Sequence, residues 1–240
     1  RSGEKLKTKL IKIAAHNLGI DADKLTYSGG NVLAPDGRKH TWQDAVELAH
    51  RQFHNLPEGM DPGLAAFDIM QVPTGNALPV DGKVHMYPCY SFEFHLVLLA
   101  FDPVIGRPEI HSYTVGHDCG TVINPAIVSG MTYGGIAHGI GAALLEEFAY
   151  DPNGQLMTQS FLDYLMPSSH EVPPIQIVKH CTPSPHTVFG QKGSGESGYL
   201  GSPAAISSAI NDAVSALDIR FEKLPIRMSA ISDAIANKSA

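Results

Sequence analysis

Residues 119–145 read CGTVINPAIVSGMTYGGIAHGIGAALL, and this stretch decides the fold. It contains no Lys, Arg, Asp or Glu. Asn124 followed by Pro125 is an N-cap followed by proline at the first helical position, so the spacing predicts a helix from Pro125 to about Glu147. Its length could span a membrane. Ser129, Thr132, Tyr133 and His138 interrupt it, five glycines dilute its hydropathy, and no basic anchors flank it. A helix buried in a large protein is the better reading. Glycine costs roughly 1 kcal/mol per helix position against alanine. Gly130, Gly134 and His138 fall on one stripe and Gly135 and Gly139 on the next, so close approach of another backbone or of a bulky ligand is expected here.

Working outward, residues 90–102 (YSFEFHLVLLAFD) read as a long strand and 108–117 as its antiparallel partner, joined by the turn Asp102–Gly106. Residues 4–18 read as an amphipathic helix stopped at Gly19. Residues 25–34 form a hairpin about Gly29-Gly30. Thr41 caps a second helix with Asp44 three residues on. Residues 53–89 are an irregular Pro/Gly-rich excursion, either a docked functional loop or a plain surface loop. Farther on, 148–150, 159–165 and 175–180 look extended. Residues 199–216 read as a helix with Ala204, Ile206, Ala209, Ile210 and Val214 inward, and a last helix follows Pro225. The class is α+β, with mixed sheets and packed helices, and no linker separates two folding units.

Composition bounds the function. Hydrophobic residues make up 43% of 240 and charged residues 17%, with net charge −7 and no Lys/Arg-rich run. That disfavours a nucleic-acid partner. Cys89, Cys119 and Cys181 are scattered without a CxxC, so an iron–sulfur cluster or zinc ribbon is not expected in this chain. Reduced thiols point to a cytoplasmic protein.

Residues 190–198 read GQKGSGESG, a glycine-rich loop ahead of a helix of the kind several chemistries use. A phosphate-binding P-loop would need a lysine where Glu196 stands. Gly193, Gly195 and Gly198 match GxGxxG, yet no βαβ unit follows, which weakens a nicotinamide site. Tyr199 breaks a GxSxG nucleophile elbow. Glu196 itself, a carboxylate amid glycines ahead of a helix, is either a base or a cap of that helix. His111 and His117, six apart on one strand, are expected to share a face as structural histidines.

Four blocks occur in order. They are His117-Asp118-Cys119-Gly120 with Asn124-Pro125; the glycine helix Gly130-Met131-Thr132-Tyr133-Gly134-Gly135 through Gly141 to Glu146-Glu147; Phe161-Leu162-Asp163-Tyr164 with Pro167; and Lys192-Gly193-Ser194-Gly195-Glu196-Ser197 ahead of an Ala-rich helix. Together they resemble the C-terminal part of the molybdenum-binding subunit of the xanthine oxidase family. That family includes xanthine dehydrogenases, aldehyde oxidoreductases, aerobic carbon monoxide dehydrogenases and N-heterocycle hydroxylases.

The resemblance implies a molybdenum hydroxylase acting on an aldehyde, a purine or an aromatic N-heterocycle. It makes Glu196 the general base toward a metal-bound hydroxyl, with hydride passing to a sulfido ligand. Gly130, Met131, Lys192, Gly193, Ser194 and Gly195 become cofactor-binding residues, and no residue of this chain ligates the metal directly. Much of the family has glutamine at the position of Met131, which cannot donate a hydrogen bond. Asp118 is expected to position the chain, and Asp163-Tyr164 to form a packing corner. The cofactor implied is molybdenum with molybdopterin, in the cytosine dinucleotide form, shared with a partner chain.

Iron–sulfur clusters and FAD are expected on further partners. Arg1-Ser2-Gly3 resembles the tail of a family loop just before the first helix, which implies one piece of a split or nicked large subunit, with residues 1–240 a single part of the cofactor domain that does not hold the cofactor alone. The reading of a different class is a non-catalytic assembly subunit that closes the cofactor cavity.

Overall fold

The computed structural model describes residues 1–70, 79, 81–84 and 86–239. The chain divides into two compact units, residues 1–71 and 72–240. The sequence showed no linker, but the boundary falls inside the Pro/Gly-rich excursion, where no periodic pattern can carry a core across. The part of that excursion at 71–78, 80 and 85 lies outside the described residues.

The first unit opens with α1 (Ser2–Leu18), ended by Gly19 in the left-handed conformation. An antiparallel sheet of β1 (Thr26–Ser28), β2 (Asn31–Leu33) and β3 (Lys39–His40) follows. Helix α2 (Trp42–His50) begins with the expected reciprocal cap between Thr41 and Asp44. Leu10 and Ala14 of α1 pack with Leu25, Val32, Ala34 and Ala45. The chain beyond α2 is tied back onto it, Gly63 N–H donating to the Ala49 carbonyl at 2.7 Å.

The second unit is built on a mixed sheet. Strand β4 (Phe92–Asp102) pairs antiparallel with β5 (Arg107–Asp118), and β5 pairs in parallel with β6 (Ile175–His180). The register of β4 and β5 slips at Leu98/Leu99, where Ser112 faces Leu98 and Ile110 faces Leu99, so His111 is the extra residue of a bulge. That overturns the expected shared face of His111 and His117: the bulge reverses the alternation, leaving His111 exposed and His117 buried.

Three helices cover one face of this sheet. Helix α3 (Pro125–Leu144) starts as predicted, Asn124 accepting from the amides of Ala126 and Ile127. It stops short of Glu147 because the chain turns back. The amides of Leu145 and Glu146 both donate to the Gly141 carbonyl, and Glu146 Oε1 folds against Gly141. Helices α4 (Ser202–Ala213) and α5 (Met228–Ser239) complete the layer. The core joins Tyr113 and Val115 to Ile136, Ile140, Ala143, Ile206, Ile210, Ile226 and Ile231.

Some expectations fail locally. Ala204 is exposed rather than inward, because the buried stripe runs through Ser202, Ile206 and Ile210, four apart, and Ala204 falls on the other side of the helix. Residues 159–165 form turns, with Ser160 Oγ donating to Asp163 at 2.9 Å. Residues 148–150 contribute only a single bridge, Tyr150 to Leu156, about the turn after Asp151. Among the described residues no helix is long and apolar enough to cross a membrane.

The opposite face of the sheet stays open. Phe92, Phe94, Leu96 and Leu98 alternate along it, 59–64% exposed.

Candidate active site

The loop 190–201 sits between α3 and the end of β4 nearest Phe92. Its approach is set by a buried ion pair. Lys192 Nζ lies 3.2 Å from Asp118 Oδ2 and 2.6 Å from Thr182 Oγ1, and both members of the pair are over nine-tenths buried. Asp118 also accepts from the amides of Gly120 at 2.8 Å and Thr182 at 3.1 Å, and from the Thr182 hydroxyl. Burial works against its charge, but these bonds together hold its carboxyl well below the usual carboxylate range. Lys192 N–H donates to the Cys119 carbonyl at 2.8 Å. Asp118 thus positions chain, as expected. The ammonium of Lys192 is turned inward, over the Phe92 ring.

Beyond Lys192 the loop opens. Gly193, Ser194, Gly195, Glu196 and Ser197 line a hollow of about 490 Å³ together with Ser91, Glu93, His95, Leu200 and Gly201. Glu196 is exposed, and among the described residues no hydrogen bond or ion pair to its carboxylate is formed. It does not cap α4, whose N-cap is Gly201. No strand leads directly into the loop, since β6 ends at His180, so the dinucleotide reading loses its βαβ context.

Glu93 and His95, which sequence reading passed over, are the polar floor of this hollow. Glu93 Oε1 is 2.6 Å from His117 Nδ1, and its Oε2 accepts from Gly198 N–H at 2.8 Å. His117 Nε2 is 3.3 Å from Ser194 Oγ. His95 Nδ1 is 2.8 Å from the Tyr113 hydroxyl. Burial opposes the Glu93 charge, yet the neighbouring His95 and His117 and the bond from Gly198 N–H lower its pKa on balance. Burial pushes the Tyr113 hydroxyl up. The signal was present in FEFHL: two polar residues on the strand face opposite an unbroken apolar one.

The glycines sort into two kinds. A Cβ on Gly135 would sit 2.1 Å from the Ser197 carbonyl oxygen, and one on Gly139 would sit 1.6 Å from Ser202 Oγ. These two let α3 touch the loop and the start of α4. Gly130, Gly134, Gly193 and Gly195 have open space around them and none has a left-handed backbone. Nothing among the described residues requires glycine there. Gly130 and the exposed Met131 lie on the early turns of α3, outside the hollow's lining. His138, on the Gly130 stripe, stacks on Tyr199 at 4.2 Å. Tyr164 donates to Glu146 at 2.7 Å and packs on Phe148, the corner expected of that block.

Comparison with known proteins decides the family. Residues 1–173 match the family model described as a molybdopterin cofactor-binding domain. The chain belongs to that family. It is similar to the C-terminal part of the molybdopterin-binding large subunit in the xanthine oxidase family. It is 33% identical over 230 residues to the nicotine 6-hydroxylase large subunit of Paenarthrobacter nicotinovorans, covering 94% of this chain and 26% of that protein. It is 28% identical to the carbon monoxide dehydrogenase large chain of Hydrogenophaga pseudoflava, covering 93% and 26%.

Among solved structures, quinoline 2-oxidoreductase from Pseudomonas putida 86 matches with TM-score 0.73 and 30% identity over 97% of this chain and 28% of that one. A Cu,Mo carbon monoxide dehydrogenase matches with TM-score 0.74 and 26% identity over 99% and 28%. This chain thus spans about a quarter of the length of these relatives.

The residues present fit that cofactor. Four glycines without an internal reason leave backbone uncovered for a bulky group to approach closely. An exposed carboxylate stands beside two of them.

Proposed function

We propose that this chain supplies the base of a molybdenum hydroxylase, with Glu196 as that base and with Gly130, Met131, Gly193, Ser194 and Gly195 against the cofactor. When bound, molybdopterin-held molybdenum supplies two-electron redox chemistry and Lewis acidity. The single observation that carries the reading is Glu196: among the described residues an unpartnered, exposed carboxylate at the mouth of a hollow, on a loop where the side chains of Lys192, Ser194 and Ser197 are engaged. Its oxygens are free to take a proton from a water-derived nucleophile as that oxygen reaches an electron-poor carbon. Gly193 and Gly195 keep the approach to Glu196 clear. The ammonium of Lys192 holds the loop's root, and its part toward the cofactor is the placing of Gly193.

The substrate is an aldehyde, a purine or an aromatic N-heterocycle, and the nicotine and quinoline in the names of two relatives support the last of these. The cofactor is taken in its cytosine dinucleotide form. Electrons leave to an iron–sulfur partner and then a flavin partner in the cytoplasm. Assembly with the remaining molybdenum-binding portion is supported by the open Phe92–Leu98 face and by the uncovered glycines. The alternative, a non-catalytic part that closes the cofactor cavity, accounts for the glycines but leaves a free carboxylate without a task.

In the assembled enzyme, Glu196→Gln is expected to abolish turnover, a loss of at least about 100-fold for a general base, while molybdenum content measured by elemental analysis stays near wild type. Near-normal turnover in that variant overturns the assignment.

A further inference from the structure

We propose that Glu93 is the positioning residue of the Glu196 loop, one carboxylate on β4 holding the chain on both sides of the base. The inference rests on the role proposed above for Glu196. On the far side, Gly198 N–H donates to Glu93 Oε2 at 2.8 Å. On the near side the hold passes through His117. Its Nδ1 lies 2.6 Å from Glu93 Oε1, its Nε2 lies 3.3 Å from Ser194 Oγ, and Ser194 Oγ is 2.5 Å from Ser197 Oγ.

The chemistry of the donors orients this chain. An ionised carboxylate only accepts, so His117 Nδ1 carries the proton that faces Glu93. In the neutral ring Nε2 then accepts from the Ser194 hydroxyl, whose oxygen in turn accepts from Ser197. His95, on the same strand, presents Nε2 to Glu93 Oε2 at 3.5 Å and is fixed at its other nitrogen by Tyr113. Among the described residues the two histidines are the ion-pair partners of Glu93, and no Lys or Arg reaches it.

The pieces are rigid. The side chains of His117 and Glu93 are 2% and 13% exposed. Gly198 is pressed from the opposite side, where a Cβ would stand 2.3 Å from the Thr132 carbonyl of α3. The loop is therefore clamped between α3 and Glu93, with Glu196 at its free crest. Farther along β4 the same inward face is filled by Val97, Leu99 and Phe101, so core filling alone needs no carboxylate. A charge buried at residue 93 is justified by what it holds. A base displaced by about 1 Å loses on the order of 100-fold in rate.

The test uses the full chain in its molybdenum-loaded assembly. Glu93→Ala is expected to speed amide exchange in the peptide 193–199 by about tenfold or more, the effect of losing hydrogen bonds to a charged group. Exchange at the centre of β5 and molybdenum content should stay unchanged. With quinoline and benzaldehyde as probes, kcat should fall by about tenfold or more while KM moves less than about twofold, the signature of a contact that acts only in the transition state. Glu93→Gln keeps an acceptor for Gly198 and should recover part of both.

Unchanged loop exchange in Glu93→Ala overturns the proposal. So does exchange that rises evenly across the sheet, which a merely structural role would give. If Glu93→Ala does not fold, Ser194→Ala cuts the run from His117 through Ser194 to Ser197 and leaves Gly198 on Glu93; it should loosen 193–197 alone, and an unloosened loop there counts equally against the proposal. Normal turnover in Glu196→Gln would remove the base and leave the exchange result standing, so the two failures are told apart.

Discussion

Asp118 and Lys192 form a pair that burial would punish if either partner were lost. Asp118 keeps its proton off to a lower pH when folded than the roughly 3.9 of an unfolded aspartate. The stability this contributes is therefore complete above about pH 4 and is lost as pH falls through the lower folded value. Glu93 acts in the same direction. Asp118→Asn should cost about 3 kcal/mol at pH 7, the cost of an uncompensated buried charge, and should flatten the acid limb of stability. Urea unfolding between pH 7 and 3 checks it; parallel loss of stability in variant and wild type would contradict the account.

At this scale the sequence was informative where function leaves a residue without a structural excuse. Glu196 among glycines stood out for that reason and is exposed and unpaired among the described residues, whereas Asp118 stood out through its block and positions chain. Glu93 and His95 left a signal in FEFHL that points the wrong way, because strand alternation sorts residues by polarity, and here the polar pair faces the protein while Phe92 and Phe94 face out.

Helix α3 carries the clearest contrast between elements. Its glycines at 135 and 139 are packed against residues 197–203, while those at 130 and 134 face open space. Gly135→Ala must push the Ser197 carbonyl away and should destabilise by about 1–3 kcal/mol, the range of an overpacked core. Gly134→Ala should instead raise the stability of the chain by up to about 1 kcal/mol through helix propensity, yet lower molybdenum loading of the assembly. Thermal unfolding beside metal analysis reads both; equal effects of the two substitutions on unfolding would sink the distinction.

The caps of α2 and α3 were readable from Thr41–Asp44 and Asn124-Pro125, since capping is a local matter of a side chain and the next amides. The bulge at His111 was not, since it exists only in the pairing with β4. Residues 159–165 misled for a similar reason: Ser160 and Asp163 bond each other and close turns that an alternation count does not see.

Seen whole, the chain is two units whose boundary the sequence blurred, because Pro/Gly-rich composition marks irregularity without saying that contacts cease there. The α+β class was legible from one long hairpin and one long helix. The parallel partner of β5 was not, as nothing local in residues 175–180 names a strand that ends at Asp118.

That parallel pairing carries a consequence in time. The hairpin of β4 and β5 closes through residues 103–106, whereas β6 reaches β5 only after residues 119–174, with α3 among them. Longer loops close at greater entropic cost, so β6 should join last. Pulse-labelled amide exchange during refolding should protect β4 and β5 before Ile175–His180; simultaneous protection would refute the order. Thr182, which anchors Lys192 and with it the root of the Glu196 loop, comes into place just behind β6. The maturing chain thus leaves the root of the Glu196 loop unanchored until the sheet is complete, so the hollow beside that carboxylate is the last feature of the unit to take shape.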